Sequence, residues 1–256
     1  MQKKLKITDF ISIFFRSFFI QAVWNFQSML AVGFSYSLVP VAKRLFKSKM
    51  DRKKFFERHL NFFNAHPYFS SFALGAIARI EEDYVLTGKS DYQKIERLKN
   101  ALIGPLGAIG DQVVWATLKP ASILVGVLGV LVIQDFKSKI IFLMLILILY
   151  NVPHLYIRFF GILKGYNLGF NVYKLLNLDN FKAYKLFYAG IGALSLGLFT
   201  GFTIVIYSNI NFRYFIIFIV SIMSAYIYKK WKQSFYGSII FPLMLSILMG
   251  VILESI

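Results

Sequence analysis

The chain has 256 residues, of which 57% are hydrophobic and only 16% charged, with a mean hydropathy of +0.61. Soluble domains carry about a quarter charged residues, so this composition excludes an ordinary soluble protein and predicts an integral membrane protein. The net charge of +17 favours anionic membrane lipid over nucleic acid as a partner, because Lys and Arg collect in the cytoplasmic loops of membrane proteins. The absence of cysteine excludes disulfides, thiolate catalysis and cysteine-based metal sites.

The first 40 residues are expected to form an amphipathic arm at the membrane surface. Lysines precede the apolar stretch 10–24, but Arg16 interrupts it and no small-residue cleavage site follows, so a cleaved signal peptide is not expected. Thr8 fits a helix N-cap and Asp9 the first turn of that helix. Spaced polar residues leave a Phe/Ile face opposite, which indicates a helix that lies in the interface or docks on a partner helix.

Residues 41–185 are expected to form a core with re-entrant elements. After a turn at Val39-Pro40, residues 43–58 are the most basic stretch, which predicts the cytoplasmic side. A turn over 87–91 precedes a helix predicted over Tyr92–Leu102. Residues 113–134 could form one span, whereas residues 140–152 are short enough to be re-entrant or tilted. A polar, aromatic connector is expected over 151–185.

The stretch 104–115 predicts a glycine-rich, helix-breaking loop that runs directly into apolar sequence. Bare backbone in hydrocarbon leaves its amides unpaired, so such a loop must line protein or a wet cavity, as a solute path does. Glycines permit close backbone approach and a proline fixes a bend. These residues are Gly104, Pro105, Gly107 and Gly110.

Asp111 is the one carboxylate of that stretch. An acidic side chain at the edge of an apolar segment is costly unless it is paired or wetted, which makes it a functional candidate. It could equally cap a helix that begins near Gln112, and the two roles are compatible.

Three apolar segments at the C-terminal end, residues 186–207, 214–228 and 235–253, predict transmembrane helices. The Lys-rich turn 229–232 is expected inside and the turn at Ser208 outside, which places the C-terminus outside. The predicted fold is an all-α integral membrane protein in a single domain over 1–256. It comprises the interfacial arm (1–40), short or re-entrant hairpins around the glycine-rich loop (41–185) and a transmembrane bundle (186–256).

Four blocks of residues follow one another between about residue 16 and residue 170. The first contains Arg16-Ser17, Gln21, Trp24-Asn25-Phe26, Met29, Gly33-Phe34 and Ser37-Leu38-Val39-Pro40. The second contains Arg58-His59-Leu60-Asn61-Phe62-Phe63-Asn64, Pro67, Gly75 and Glu81-Glu82. The third and fourth contain Gly104-Pro105-Leu106, Gly110-Asp111, Trp115, Lys119-Pro120, and then Asn151, Arg158, Gly161, Gly165-Tyr166 and Gly169. In this order they resemble the IID component of mannose-type sugar permeases, the mannose/fructose/sorbose family of the bacterial phosphotransferase system.

The resemblance implies a membrane subunit that moves a hexose-class sugar together with a IIC subunit, as a trimer of IIC–IID heterodimers in the bacterial cytoplasmic membrane. The sugar would be held mainly by IIC, while IIA and IIB pass phosphate through their own histidines. The chain is then expected to carry no catalytic residue, cofactor or metal. A membrane scaffold or regulatory remnant is the alternative, and a membrane enzyme is disfavoured because no acidic metal-binding set lies within an apolar segment.

Two departures from the family pattern support the remnant alternative. Gln112 stands where relatives commonly have proline, and the region between Tyr207 and Tyr214 is far shorter than the insertion that many relatives carry.

The candidate residues for the substrate path or the IIC contact are Gly104, Pro105, Gly107, Gly110, Asp111, Trp24, Asn25, Asn61 and Asn64. Trp24 could stack on a sugar and Asn25 could bind its hydroxyls, but an interfacial tryptophan anchor is the commoner use.

Histidine and paired glutamates are the other candidates for chemistry. His59 is expected to be solvated or to face headgroups, and His66 to be a turn or cap residue. Glu81 and Glu82 could pair as acid and base, but adjacent helical residues point about 100° apart, so ion pairs with the basic stretch are favoured.

Overall fold

The computed structural model describes residues 5–88, 92–206, 212–232 and 237–254, which fold almost entirely into helices, and the all-α prediction is confirmed. The α-helices are α1 Ile7–Ser17, α2 Ala31–Ser37, α3 Val39–Leu45, α4 Lys49–His59, α5 Ser70–Thr87, α6 Tyr92–Gly110, α7 Lys119–Val132, α8 Phe136–Leu168, α9 Lys182–Ile206, α10 Phe212–Lys232 and α11 Gly237–Glu254. A π-helix, Asp111–Leu118, joins α6 to α7, and two 3₁₀ helices, Gly169–Leu175 and Leu178–Phe181, precede α9.

Three helical stretches in the described residues are long and apolar enough to cross a bilayer: Tyr92–Val132, Phe136–Leu175 and Leu178–Thr203. The apolar helix Gly237–Ile252 is shorter. The three predicted C-terminal segments are indeed the helices α9, α10 and α11. The lysines at 229–232 belong to the end of α10 rather than to a turn. Residues 89–91 and 207–211, which carry parts of two predicted turns, lie outside the described residues.

The chain divides into two compact units, one up to Leu196 and the other from Gly197 onward. The second unit contains the end of α9 together with α10 and α11. Within it α10 packs against α11, where the rings of Tyr228 and Phe241 stack with centroids 5.2 Å apart. The first unit holds the remaining helices and the main hydrophobic core.

The stretch predicted to be a glycine-rich loop is helical throughout, so that prediction is wrong. Gly104, Pro105 and Gly107 lie inside α6, Gly110 ends it, and Asp111 begins the π-helix. A helix pairs its backbone amides within its own segment, which a low-dielectric setting demands, and this requirement overrides the breaking tendency of glycine and proline. Asp111 is therefore not an N-cap.

The second correction concerns residues 140–185, predicted to be a short re-entrant segment followed by a connector. Residues 136–168 form the single 33-residue helix α8, which continues through Pro153. The polar residues of this stretch find partners inside the protein, since Asn151 bonds His154 and Arg158 bonds Ser17. Polar side chains that point into the protein do not interrupt a helix, so the change from apolar to polar sequence at residue 151 is not a boundary.

The buried helix α5 packs closely on α8 through glycines of both helices. A Cβ placed on Gly75 would lie 2.0 Å from the carbonyl oxygen of Ile162, and one on Gly165 would lie 2.2 Å from that of Phe72. Small residues spaced four apart let helix backbones approach in this way. The α5–α8 pair is thus a close backbone-to-backbone contact, and both helices carry buried polar groups.

The N-terminal arm docks on its own chain. Helix α1 begins at Ile7, one residue before the predicted cap Thr8, and the Asp9 carboxylate accepts a hydrogen bond from the Lys6 amide at 2.8 Å. Asp9 also pairs with Arg44 at 3.0 Å. Pro40, predicted to lie in a turn, sits in the first turn of α3, where a missing amide hydrogen costs nothing.

The outer face of α1 is apolar and exposed, whereas Asp9 of the predicted polar face is buried. The buried face carries Phe10 and Ile13 against the core, whereas Ile7, Ile11 and Phe15 point outward. An exposed apolar stripe on a helix is typical of a segment in contact with membrane or with a partner.

Candidate functional site

The non-helical segment 61–66, between α4 and α5, connects three distant blocks of the sequence. The backbone of Phe63 bonds Leu30 at 2.9 Å and Ser28 at 3.3 Å. The Asn61 carbonyl accepts from the Lys99 ammonium at 2.8 Å. At its far end the segment reaches α6, because His66 lies directly against Gly110. Candidate residues from residues 24–30, 61–66 and 96–115 therefore lie in one region.

The Asn25 side chain organises a turn. Its Oδ1 accepts from the amides of Gln27 at 3.0 Å and Ser28 at 2.8 Å, and its Nδ2 donates to Ser28 Oγ at 3.0 Å. Trp24 is 47% exposed and packs edge-on against Phe26, with ring centroids 4.7 Å apart. The amide is thus engaged within the turn, while the indole presents an apolar surface outward. A sugar-binding role for these two residues stays a prediction.

The glycines of α6 divide into an open and a packed group. Nothing lies within 4 Å of a Cβ placed on Gly104 or Gly107, whereas one on Gly110 would lie 2.2 Å from His66 Cβ. Pro105 and Asp111 are exposed. We call Gly104, Pro105 and Gly107, together with Asp111 of the adjoining π-helix, the open face of α6.

The asparagines of segment 61–66 lie beside the same helix. The Asn61 amide donates weakly to Glu96 of α6, at 3.3 Å, and the Asn64 side chain is exposed.

A cluster of buried polar groups, absent from the predictions, surrounds Arg158 of α8. Arg158 Nη1 donates to the carbonyl of Ser17 at 2.7 Å and to its hydroxyl at 3.1 Å. The His154 ring stacks on Tyr68 at 4.5 Å, and the hydroxyls of Tyr68 and Tyr150 are 2.9 Å apart. We call His66, Tyr68, Tyr150, His154 and Arg158 the Arg158 cluster.

Three buried nitrogens of the Arg158 cluster lack a hydrogen-bond partner within the part of the chain that the structure describes. They are His66 Nε2, His154 Nδ1 and Arg158 Nε. Buried polar atoms are nearly always satisfied, so these three nitrogens are exceptions among the described residues. The sequence held a signal for this cluster, since residues 151, 154, 158, 161 and 165 share one helical face.

Glu81 forms the most buried ion pair of the described residues. Arg58 donates two hydrogen bonds to the Glu81 carboxylate, from Nη2 at 2.6 Å and from Nε at 2.7 Å. His59 Nε2 lies 2.9 Å from Glu81 Oε1. Burial raises the pKa of Glu81, but the hydrogen bonds from Arg58 and His59 prevail and hold that pKa below its ordinary value. The predicted ion pair with the basic stretch is confirmed.

The neighbouring carboxylate, Glu82, points elsewhere. Its Oε1 accepts from the Leu5 amide at 2.6 Å, and Tyr166 donates its hydroxyl to Oε2. The two glutamates thus serve different partners and are not arranged as an acid–base pair.

The expectation for His59 is wrong, because its side chain is fully buried rather than solvated. Burial lowers the pKa of His59, so the imidazole is neutral and donates Nε2–H to Glu81. His66 is a turn residue as predicted, since its Nδ1 accepts from the Tyr68 amide at 3.2 Å.

Acidification is expected to destabilise the chain through His66. Burial, followed by the nearby Arg158 charge, lowers the pKa of His66 from 6.5 to about 3. Between these values the unfolded chain binds a proton that the folded chain does not, so stability is full above about pH 6.5 and falls as pH decreases. The loss at pH 5 is about 2 kcal/mol. Thermal unfolding in detergent at pH 7 and pH 5 measures it.

The control for this pH effect is His66→Gln, which cannot titrate and keeps an acceptor for the turn. The drop in thermal midpoint between the two pH values should shrink in this variant, leaving the part due to the other buried histidines. An equal drop in both proteins would contradict the assignment.

The fold and the site define the class of protein: an all-helical integral membrane protein that carries buried polar groups on long apolar helices, as transport proteins do. The sequence matches the mannose/fructose/sorbose family IID component of the phosphotransferase system over residues 4–253. The chain belongs to this family.

Named relatives agree with this assignment. The chain is 33% identical over 174 residues to the mannose-specific EIID component of Escherichia coli K12. The aligned region covers 68% of this chain and 60% of the relative. The fructose permease IID component of Bacillus subtilis is 29% identical over 198 residues, covering 77% and 68%. The sorbose-specific EIID component of Klebsiella pneumoniae is 32% identical over 171 residues, covering 67% and 61%.

The fold is also similar to solved structures. A cryo-EM structure of the mannose transporter ManYZ in complex with microcin E492 superposes with a TM-score of 0.59 at 30% identity, covering 77% of this chain and 70% of that one. A second membrane-protein structure gives a TM-score of 0.65 at 30% identity, covering 76% and 70%. The resemblance stated from the four sequence blocks is confirmed.

Proposed function

We propose that this chain is the IID subunit of a mannose-type permease. Together with a IIC subunit it moves a hexose-class sugar across the bacterial cytoplasmic membrane, while IIA and IIB supply phosphate derived from phosphoenolpyruvate. The functional complex is a trimer of IIC–IID heterodimers, and the chain crosses the membrane several times with its C-terminus outside. Family membership supports this proposal, and the following observations on the chain itself add to it.

The open face of α6 is the observation that carries the proposal. Asp111 is exposed at the edge of the apolar part of Tyr92–Val132, and the positions above it, Gly104 and Gly107, leave empty space at the helix surface. An exposed carboxylate on a membrane-spanning helix needs a polar partner or water. A IIC subunit packed against the open face would supply this partner and would bring the sugar path to Asp111.

The histidines support a non-catalytic role for this chain. The sequence contains three, and His59, His66 and His154 are only 0%, 2% and 6% exposed. A phosphoacceptor must reach the donor protein, which these buried rings cannot do without unfolding their surroundings. This burial supports the assignment of phosphate transfer to the other subunits.

Filling the open face is expected to stop transport without unfolding the chain. Gly107→Leu adds a side chain where nothing lies within 4 Å, so the isolated subunit should keep its thermal midpoint. The added bulk should separate it from IIC and lower phosphoenolpyruvate-dependent uptake in vesicles at least tenfold. Co-purification with tagged IIC measures the contact directly.

The matched control is Gly190→Leu on α9, which is also open to solvent or lipid. Uptake and co-purification should be unchanged in this variant. Normal assembly and uptake with Gly107→Leu would refute the assignment of the open face to IIC.

Vesicles that contain IIC with and without this chain test the function itself. Uptake that does not depend on the chain would reject the transporter role and favour the scaffold or regulatory remnant.

Gln112, which stands where relatives commonly have proline, was one of the two departures that suggested a remnant. Its side chain accepts a hydrogen bond from Lys185 at 2.9 Å, so this residue makes a structural contact of its own.

A further inference from the structure

A long apolar groove runs between α7 and α8. Its volume is about 510 Å³, and aliphatic side chains line nearly all of it. The two helices meet closely at one end, where Gly129 lies against the ring of Phe142. Lys119 and Tyr150 line the groove toward its other end. The groove therefore extends from near the α7–α8 turn to the start of α7.

The end of the groove at Lys119 is basic. Lys119 is exposed, and it is a charged residue within the stretch Tyr92–Val132 that is apolar enough to cross a bilayer. A second lysine, Lys185 of α9, lies beyond the same end of the groove. It donates a hydrogen bond to Gln112, which precedes Lys119 in the same helical stretch. A charged side chain at this depth is costly unless it meets an anion or reaches the interface.

The dimensions match one lipid chain. From Lys119 to Leu131 the helix rises about 18 Å. A single leaflet contributes about half of the roughly 30 Å hydrocarbon thickness. A ligand for this groove therefore has one end that is negatively charged and a hydrocarbon part about one leaflet long.

We propose that the groove between α7 and α8 binds an anionic phospholipid, with its phosphate at Lys119 and one acyl chain along Gly126 toward Leu131. The charge at only one end of an otherwise apolar groove distinguishes this occupant from a transmembrane helix of another protein, whose apolar surface would leave the ammonium unpaired. The bound lipid fills the space between the two helices of the hairpin and holds them at a fixed separation.

Lipid retention by the purified full-length chain tests this proposal. The chain is incubated in detergent with dioleoyl phosphatidylglycerol or dioleoyl phosphatidylcholine, repurified, and the lipid bound per chain is measured by native mass spectrometry. Phosphatidylglycerol should be retained preferentially. Lys119→Gln should lower its retention about fivefold, the effect of one basic residue at a membrane surface. Gly126→Leu, which fills the groove, should reduce retention of both lipids.

Lys137→Gln is the matched control, because Lys137 is an exposed lysine near the opposite end of the hairpin. It should leave retention unchanged. Equal losses with Lys119→Gln and Lys137→Gln would indicate a general charge effect and overturn the proposal, as would unaltered retention in Gly126→Leu.

A labelling experiment separates a lipid from a protein occupant and does not depend on those variants. The chain has no cysteine, so Ile123→Cys places a single thiol in the groove. A lipid-soluble maleimide should react with it equally in bilayers with and without IIC. Protection that appears only when IIC is present would assign the groove to the partner subunit and reject the lipid site.

Discussion

Gly75→Ala is expected to destabilise the protein strongly, although it adds one methyl group. The new Cβ would lie 2.0 Å from the carbonyl oxygen of Ile162, a backbone atom that cannot move without displacing α8. Overpacking of a core costs about 1–3 kcal/mol and occasionally more, and this contact with backbone belongs at the upper end. The thermal midpoint in detergent should fall by about 6 °C or more, given about 2–4 °C per kcal/mol for a chain of this size.

Gly190→Ala is the control for this substitution. It makes the same chemical change in a helix, but nothing lies within 4 Å of the added Cβ. Alanine has the higher helix propensity, by about 1 kcal/mol, so the midpoint should stay constant or rise. Similar midpoints for the two variants would contradict the close packing of α5 on α8.

Glu81→Ala should cost about 3–5 kcal/mol, the range measured when one partner of a buried ion pair is removed. The substitution leaves the guanidinium of Arg58, whose side chain is 15% exposed, without its carboxylate and removes the acceptor of His59. We expect a large decrease in thermal midpoint and in the yield of monodisperse protein. A smaller loss is expected when Glu81→Gln is combined with Arg58→Met, because no buried charge is then left alone.

Glu57→Ala is the matched control, since Glu57 pairs with Lys53 at 3.8 Å on an exposed surface. Such pairs contribute at most about 1 kcal/mol. Comparable losses from the two glutamate variants would contradict a structural role for the buried pair. The ion pair also has a pH signature: Glu81 has a lowered pKa, so its contribution is complete above the ordinary glutamate range and is lost as pH falls below it.

The sequence predicted helices well where apolar periodicity was uninterrupted. The helix from Tyr92 was identified from the turn signal before it, the three C-terminal helices from their apolar runs, and the ion pairing of Glu81 from the basic stretch in the sequence. These features depend on local sequence or on simple charge complementarity, which a single chain displays directly.

Local propensity failed where the tertiary and membrane environment decides the backbone. Pro105 and three glycines indicated a loop, but the backbone remains helical because a helix pairs its amides within the segment. His59 looked solvated because its neighbours are basic, yet it is buried under Glu81, which lies 22 residues away. Pairings of this kind arise from the fold and cannot be read from the spacing of the residues alone.

The Arg158 cluster could be predicted only in part from the sequence. Its members on α8 share one helical face, which the sequence could indicate. Tyr68, and Ser17 that Arg158 bonds, come from elements that only the fold brings together. The family resemblance supplied the functional hypothesis that no local pattern contained, and the order of the four blocks was the decisive observation.

The attachment of the N-terminal arm has a consequence for biosynthesis. Ser17 is held by Arg158, which is made 141 residues later, and Leu5 is held by Glu82, 77 residues later. At about 5–20 residues per second, ribosomal synthesis takes roughly 7 to 28 seconds to cover the longer interval. The nascent arm therefore lacks both of these contacts until Glu82 and then Arg158 have been made.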